Sequence, residues 1–61
     1  MTNPPSAEKA IALTAQGSEL MQQGKLDEAI ACFRQAWQEA GLVAALNNWA
    51  TALYYQDKPA E

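Results

Sequence analysis

The fold is decided by a short stretch, QGKLDEAIACFRQA, at residues 23–36. Gly24 interrupts a helical pattern there, as glycine does where a helix must end in a left-handed residue. A second pattern starts at Leu26, with Asp27 and Glu28 in a first turn where the helix dipole favours negative charge. Its apolar residues recur at steps of three and four: Leu26, Ala29, Ile30, Phe33, Ala36, Trp37 and Ala40. The stretch therefore predicts a tight turn followed by an amphipathic helix.

The same spacing continues on both sides of this stretch and predicts three helices, over residues 7–23, 26–40 and 43–56. The apolar steps are Ala10, Leu13, Gly17, Leu20 and Met21 in the first helix, and Leu46, Trp49, Ala50, Leu53 and Tyr54 in the third. Because the connections are very short, neighbouring helices are expected to run antiparallel.

Polar residues, glycine and proline mark the ends of the predicted helices. Asn3 or Ser6 can cap the first helix, and the sequence leaves both open. Gly41 ends the second helix, and Asp57 with Pro59 closes the third.

The composition is typical of an all-α chain. Hydrophobic residues make up 49% of the 61, but 13 of them are alanine, and there is one valine with two isoleucines. Helix formers thus dominate and strand formers are scarce. A chain of this length buries only about 60% of the surface that its unfolded form exposes, so a private core is marginal.

Charge and residue usage exclude several classes of protein. The net charge is −3 and the four cations are scattered singly, so we expect no nucleic-acid binding. Histidine is absent and Cys32 is the single cysteine, so we expect no zinc site, cofactor or internal disulfide. The longest apolar run, residues 41–46, is too short to span a membrane, and residues 1–6 have neither the basic flank nor the apolar stretch expected of a signal peptide. We expect a cytoplasmic protein.

The third helix repeats the first after 33 residues. When residues 10–28 are aligned with residues 43–61, six pairs are identical. These pairs are Ala12/Ala45, Leu13/Leu46, Leu20/Leu53, Gln23/Gln56, Lys25/Lys58 and Glu28/Glu61, with Gly17/Ala50 and Ser18/Thr51 conservative. The chain is therefore predicted to hold one complete two-helix unit and the first helix of a second.

This pattern resembles the tetratricopeptide repeat family, whose helix–turn–helix unit recurs about every 34 residues. The residues that carry the resemblance are Leu13, Gln16, Gly17 and Leu20, then Leu46, Trp49, Ala50 and Leu53, and on the second helix Ala29, Phe33 and Ala36. The resemblance covers about fifty residues, from Ala10 onward. It implies a polar lead-in at 1–6, a first hairpin at 7–41 and an incomplete second repeat at 42–61, as in a truncated αα-solenoid.

Three positions depart from the family pattern. Gln16 stands where the repeat usually has a large apolar residue, Gly41 replaces a common proline, and Asp57 stands where the first copy has Gly24. The small residues nonetheless predict close packing of the helices. We expect Gly17 to face the Ala29 side of the second helix, Leu20 to lie near Phe33, and Ala36 to admit the third helix.

The resemblance implies a concave groove, lined by the first helix of each repeat, that binds extended peptides. The candidate groove residues are Thr14, Ser18, Met21 and Gln22 on the first helix and Asn47, Asn48, Thr51 and Tyr55 on the third. Asn48 is the main candidate, because its amide can donate to and accept from a peptide backbone. The alternative is a solvated polar face, which the sequence favours, and the basic clamp of some chaperone-binding relatives is missing.

No catalytic set is evident. Cys32 has no histidine partner and is interpreted as a half-buried structural thiol. Asp27 and Glu28 are adjacent on a helix, so their carboxylates point about 100° apart and do not converge on one substrate. We therefore expect no enzyme activity.

Apolar residues on the third helix suggest an interaction surface, since the helix that would cover them does not follow within the chain. The candidates are Leu46, Trp49, Leu53 and Tyr54. Two functions stay open. One is a scaffold module that binds a peptide or a partner helix; the other is a structural unit that forms a homodimer or higher homo-oligomer. Since about three repeats are needed for independent stability, we expect a fragment of a longer array, an oligomer, or both.

Overall fold

The computed structural model describes residues 5–57, and for residues 5 and 6 only the backbone. It contains three α-helices: α1 at Pro5–Gln22, α2 at Leu26–Ala40 and α3 at Val43–Asp57. The described residues include no strand. The predicted all-α class is confirmed, with a helical hairpin followed by one further helix that packs against it.

The helix bounds follow the sequence pattern except at the two outer ends and at the end of α1, which stops at Gln22, one residue before the predicted bound. The helix α1 begins at Pro5, inside the predicted lead-in, because proline lacks an N–H and has a φ angle suited to a first helical turn. Ser6 therefore lies within α1 and does not precede it, whereas Asn3 lies outside the described residues. The other end differs by one residue, since α3 continues through Asp57.

Both predicted glycine stops are confirmed. Gly24 has a φ of 83°, and the Lys25 N–H donates to the carbonyl of Leu20 at 2.9 Å while the Gly24 N–H donates to Met21 at 3.0 Å. This bond pair is the Schellman arrangement, which satisfies the last carbonyls of α1. Gly41 has a φ of 64° and donates its N–H to the carbonyl of Trp37 at 2.7 Å.

Asp57 does not repeat the role of Gly24. It is the last residue of α3, and none of the described non-glycine residues has a positive φ. An aspartate in the left-handed region carries a steric cost that glycine avoids, so the helical conformation is preferred here.

Small residues form the core, in two groups along the helices. Ala10, Ala36 and Ala45, one from each helix, form a fully buried group against which Leu13 and Leu42 pack. Further along, Ala29, Phe33 and Ala52 form the second group. Residues packed against the second group are Leu20, Met21, Leu26, Ile30 and Trp49. The expected roles of Ala36, which admits α3, and of Leu20, which lies at the Phe33 group, are confirmed.

Gly17 faces the ring of Phe33, which lies on the same side of α2 as Ala29, as predicted. A β-carbon added to Gly17 would lie 2.5 Å from Cε1 of Phe33 and 2.9 Å from both Cδ1 and Cζ. The ring of Phe33 therefore lies directly on the bare backbone of α1, one helical turn along α2 from Ala29. Both Gly17 and Phe33 are buried there.

Polar contacts join the ends of neighbouring helices. Lys9 near the start of α1 pairs with Glu39 near the end of α2 at 3.5 Å. The Gln56 amide of α3 donates to the carboxylate of Asp27 in the first turn of α2. Because these contacts are exposed, they contribute little stability and serve to mark the antiparallel alignment.

Candidate protein-interaction surfaces

The two copies of the repeated helix pack against α2 through different stripes. In α1 the stripe of Leu13, Gly17 and Leu20 is buried or half-buried, and it packs against α2. The equivalent residues in α3 are all exposed: Leu46, Ala50 and Leu53. The helix α3 instead buries the adjacent stripe, which contains Ala45, Trp49 and Ala52.

This leaves an apolar surface on α3, here called the open face, formed by Leu46, Ala50 and Leu53. Leu46 is 41% exposed and Leu53 is 47% exposed. They line a shallow groove together with Asn47, Trp49 and Ala50. An uncovered apolar patch of this kind is typical of a surface that binds another protein.

Trp49 joins the open face to the core. Its indole is half-buried and packs against the group that contains Phe33, yet it also lines the groove with Leu46 and Leu53. Trp49 was predicted as part of an uncovered apolar surface. In the structure it contacts the core on one side and lines the groove on the other. Its position fixes one wall of the groove.

Tyr54 lies beside the open face, at the C-terminal end of α3. It is 61% exposed and lines a second depression with Ala50, Leu53, Gln56 and Asp57. Its ring contacts that of Tyr55 with the centroids 5.9 Å apart. Trp37, the remaining large aromatic outside the core, lies on α2 and is 37% exposed.

The α1 stripe that corresponds to the buried stripe of α3 forms an outer surface and is mostly polar. Ala12, Gln16 and Glu19, which are equivalent to the buried stripe of α3, are all exposed. A polar outer stripe is how repeat proteins end an array. The unexpected glutamine at position 16 therefore lies on a solvent-facing surface, and the two ends of the three-helix unit differ: one polar, one apolar.

The predicted peptide groove, here called the polar groove, would lie where α1 meets α3. The Asn48 amide Nδ2 donates to Ser18 Oγ at 3.5 Å, and both residues are half-buried. Asn48, the main candidate, is thus brought together with Ser18, another candidate groove residue, from a different helix. A bond of this length is weak, so the amide stays available to a competing partner.

The other candidate groove residues differ in what they contact. The hydroxyls of Thr14 and Thr51 donate within their own helices, to the carbonyls of Ala10 at 2.8 Å and Asn47 at 3.0 Å. Of three further candidates, Met21 packs against the core, whereas Gln22 and Tyr55 are exposed.

Cys32 is free and half-buried on α2. Partial burial raises the pKa of the Cys32 thiol above its ordinary value, and the nearby Glu28 carboxylate raises it further. A raised pKa lowers the thiolate fraction at neutral pH, so this thiol is a poor nucleophile. Within the described part of the chain, no three acidic or cysteine side chains come together to hold a metal ion.

Comparison with known protein families, curated proteins and solved structures gave no match. Among the helices of residues 5–57, none has both the length and the apolar character needed to cross a membrane. The case for function therefore depends on the two surfaces described above.

Sequence reasoning missed Ala50 as a member of the apolar surface. It lines both depressions on α3, whereas the predicted interface contained only the larger residues around it. The available signal was its offset of 33 residues from Gly17, a position predicted to contact the second helix.

If the polar groove binds an extended peptide, Asn48→Ala is expected to weaken the affinity about fivefold, because one neutral hydrogen bond is worth about 1 kcal/mol. The measurement is calorimetric titration with the tightest peptide selected from a random display library. Ser18→Ala is the matched control, since it frees the Asn48 amide without removing it and should not weaken binding. Equal affinities for wild type and Asn48→Ala would exclude Asn48 from recognition.

Proposed function

We propose that this chain is a protein-interaction module of the tetratricopeptide repeat type that works in the cytoplasm and docks a helix of a partner protein on the open face of α3. The observation that carries the proposal is the different exposure of equivalent stripes. Leu13, Gly17 and Leu20 are covered by α2, whereas no helix within residues 5–57 covers their counterparts in α3.

The polarity of the two ends supports the same proposal. The outer stripe of α1 presents Gln16 and Glu19, which resist burial, while α3 presents two leucines. Burying an exposed leucine side chain fully is worth roughly 1.5–3 kcal/mol, so a helix that covers both residues gains substantial free energy. The partner is therefore expected at the α3 end of the module.

Self-association is the second candidate function, and the composition of the core favours it. The fully buried side chains among the described residues are those of five alanines and Phe33. So small a core contributes little stability, and a second copy that covers Leu46 and Leu53 would add to it. A two-fold dimer is the simplest arrangement.

Both candidate functions predict that the open face binds another polypeptide. Replacing Leu46 and Leu53 together by glutamine is expected to shift the chain from dimer to monomer at micromolar concentration, because the covered apolar area is lost. Light scattering across a dilution series measures the mass, and far-UV circular dichroism measures the helix content at each concentration.

The matched control replaces Ile11, which is 58% exposed on α1, by glutamine. It removes an apolar side chain that is more exposed than Leu46 or Leu53 from a different surface, and it should leave the mass unchanged. A wild-type chain that stays monomeric, fully helical and unaltered by the double substitution would exclude self-association. Binding of a partner helix would then be the only role left for the open face.

A further inference from the structure

We infer that the open face of α3 selects a helix whose central contact residue is leucine and not phenylalanine. This inference rests on the proposed function, because it assumes that a helix docks on the open face. It adds the side-chain size that the face accepts, which follows from the packing of α1 against α2 within the same chain.

The α1–α2 contact supplies the template. Leu13 packs against the group of Ala36 at one end, and Leu20 packs against the group of Ala29 at the other. Between them Gly17 lies under the ring of Phe33. The three positions of α1 thus receive a small residue, an aromatic ring and a small residue from α2.

The same three positions on α3 carry Leu46, Ala50 and Leu53, so the outer two are unchanged and only the central residue differs. The difference is one β-carbon. At Gly17 that atom would stand 2.5 Å from Cε1 of Phe33, closer than carbon atoms approach without a shift. A helix docked on α3 in the template geometry therefore cannot place a phenylalanine ring over Ala50.

Leucine fits the position better because it lacks the ring atoms that collide. Of the three short contacts to the added carbon, those of Cε1 at 2.5 Å and Cζ at 2.9 Å have no counterpart in leucine, and only that of Cδ1 at 2.9 Å does. Its remaining Cδ atoms can rotate away from the Ala50 β-carbon. The inferred occupant thus carries a small residue, a leucine four positions later, and a small residue three positions after that.

Two residues at the edge of the open face support the docking of a helix that does not belong to the three-helix unit. Trp49 continues the face into the α2–α3 contact, so a docked helix would extend an interface that already exists. Asp57 is the single charged residue of α3, and it lies at the negative end of the helix dipole. A lysine or arginine of the occupant beside Asp57 complements this charge.

The probes are two synthetic helices, both taken from residues 25–41 with Cys32 replaced by serine. One keeps Phe33 and the other carries Phe33→Leu. Fluorescence anisotropy measures the affinity of each peptide for the complete chain. We expect the leucine peptide to bind about tenfold more tightly, since a difference of one or two methylene-sized groups in an apolar site changes affinity by 10- to 200-fold.

The chain variant Ala50→Gly tests the cause, because it removes the β-carbon that excludes the ring. It is expected to reverse the preference towards the phenylalanine peptide. The readout is the ratio of the two peptide affinities on the same chain. A loss of α3 stability caused by glycine lowers both affinities and therefore cancels from this ratio.

The outcomes separate the inference from the proposed function. Equal affinities, or a preference for phenylalanine on the wild-type chain, overturn the inference and leave helix docking intact. The second result would also mean that the peptide displaces α2 from Gly17. If neither peptide binds at concentrations up to a millimolar, both the inference and helix docking on this face are overturned.

Discussion

Phe33→Ala is expected to unfold the chain. Phe33 is the single large side chain among the described residues that is fully buried, and it lies between α1 and α3. Truncating a buried phenylalanine costs about 3–5 kcal/mol, which equals the total stability that a core in a domain of this size supplies. The far-UV circular dichroism of the variant should show loss of helix at 25 °C.

The control for this variant is Trp37→Ala, which truncates an aromatic residue one turn further along α2. Trp37 is 37% exposed, so its loss should lower the melting midpoint far less. Both variants are compared at one protein concentration, because association would add stability to the folded state. A Phe33→Ala chain that keeps its helix content and its melting midpoint would contradict the central role given to this ring.

Residue types with a strong local effect made much of the fold predictable. Gly24 and Gly41 adopt the left-handed conformation that other residues resist, so each marks a helix end from the sequence alone. The bounds of α2, Leu26–Ala40, lie between these two signals and match the prediction. The start of α1 had no comparable signal, because a proline pair fits both a lead-in and a first turn.

Which residues meet across the α1–α2 contact was harder to predict. Sliding one helix along another by one turn, about 5.4 Å, leaves the apolar periodicity unchanged. The sequence pattern therefore could not decide whether Gly17 meets Ala29 or Phe33, which are one turn apart. The decision comes from packing, since only the residue without a β-carbon can lie under the ring.

The candidate site was predictable in kind but not in detail. Two adjacent stripes of α3 are apolar, one through Trp49 and one through Ala50, and they differ by a rotation of about 100°. Periodicity cannot choose which stripe packs inward. The predicted interface therefore mixed Trp49 from the inner stripe with Leu46 and Leu53 from the outer one.

The polar groove shows the same limit. The resemblance placed eight residues in one groove, but a helical hydroxyl often bonds to its own backbone, as Thr14 and Thr51 do. Asn48 and Ser18 instead meet across two helices, and this contact depends on how closely α3 approaches α1. The alanines between the helices set the distance between α1 and α3. Their size is known from the sequence, but the residues that they contact are not.

The second large effect on stability is expected for Gly17→Ala, where helix propensity and overpacking change the free energy of unfolding in opposite directions. Alanine is favoured over glycine in a helix by about 0.8–1 kcal/mol, so at an exposed position Gly17→Ala would stabilise the chain. Here the added carbon meets a ring that is fully buried. Because overpacking costs about 1–3 kcal/mol, we expect a net loss of up to about 2 kcal/mol, measured by urea unfolding.

A double-mutant cycle with Phe33→Leu isolates the steric term. Leucine removes the colliding ring atoms, so alanine at position 17 should then recover its helix propensity and become neutral or stabilising. The expected coupling between the two sites is about 1–3 kcal/mol, as found for residues in direct contact. Ala50→Gly is the matched control at the equivalent exposed position of α3, where only the propensity term of about 1 kcal/mol acts. If Gly17→Ala stabilised the wild-type chain, or if the two substitutions were additive, the ring would not lie on Gly17. The size rule inferred for the open face would then lose its template.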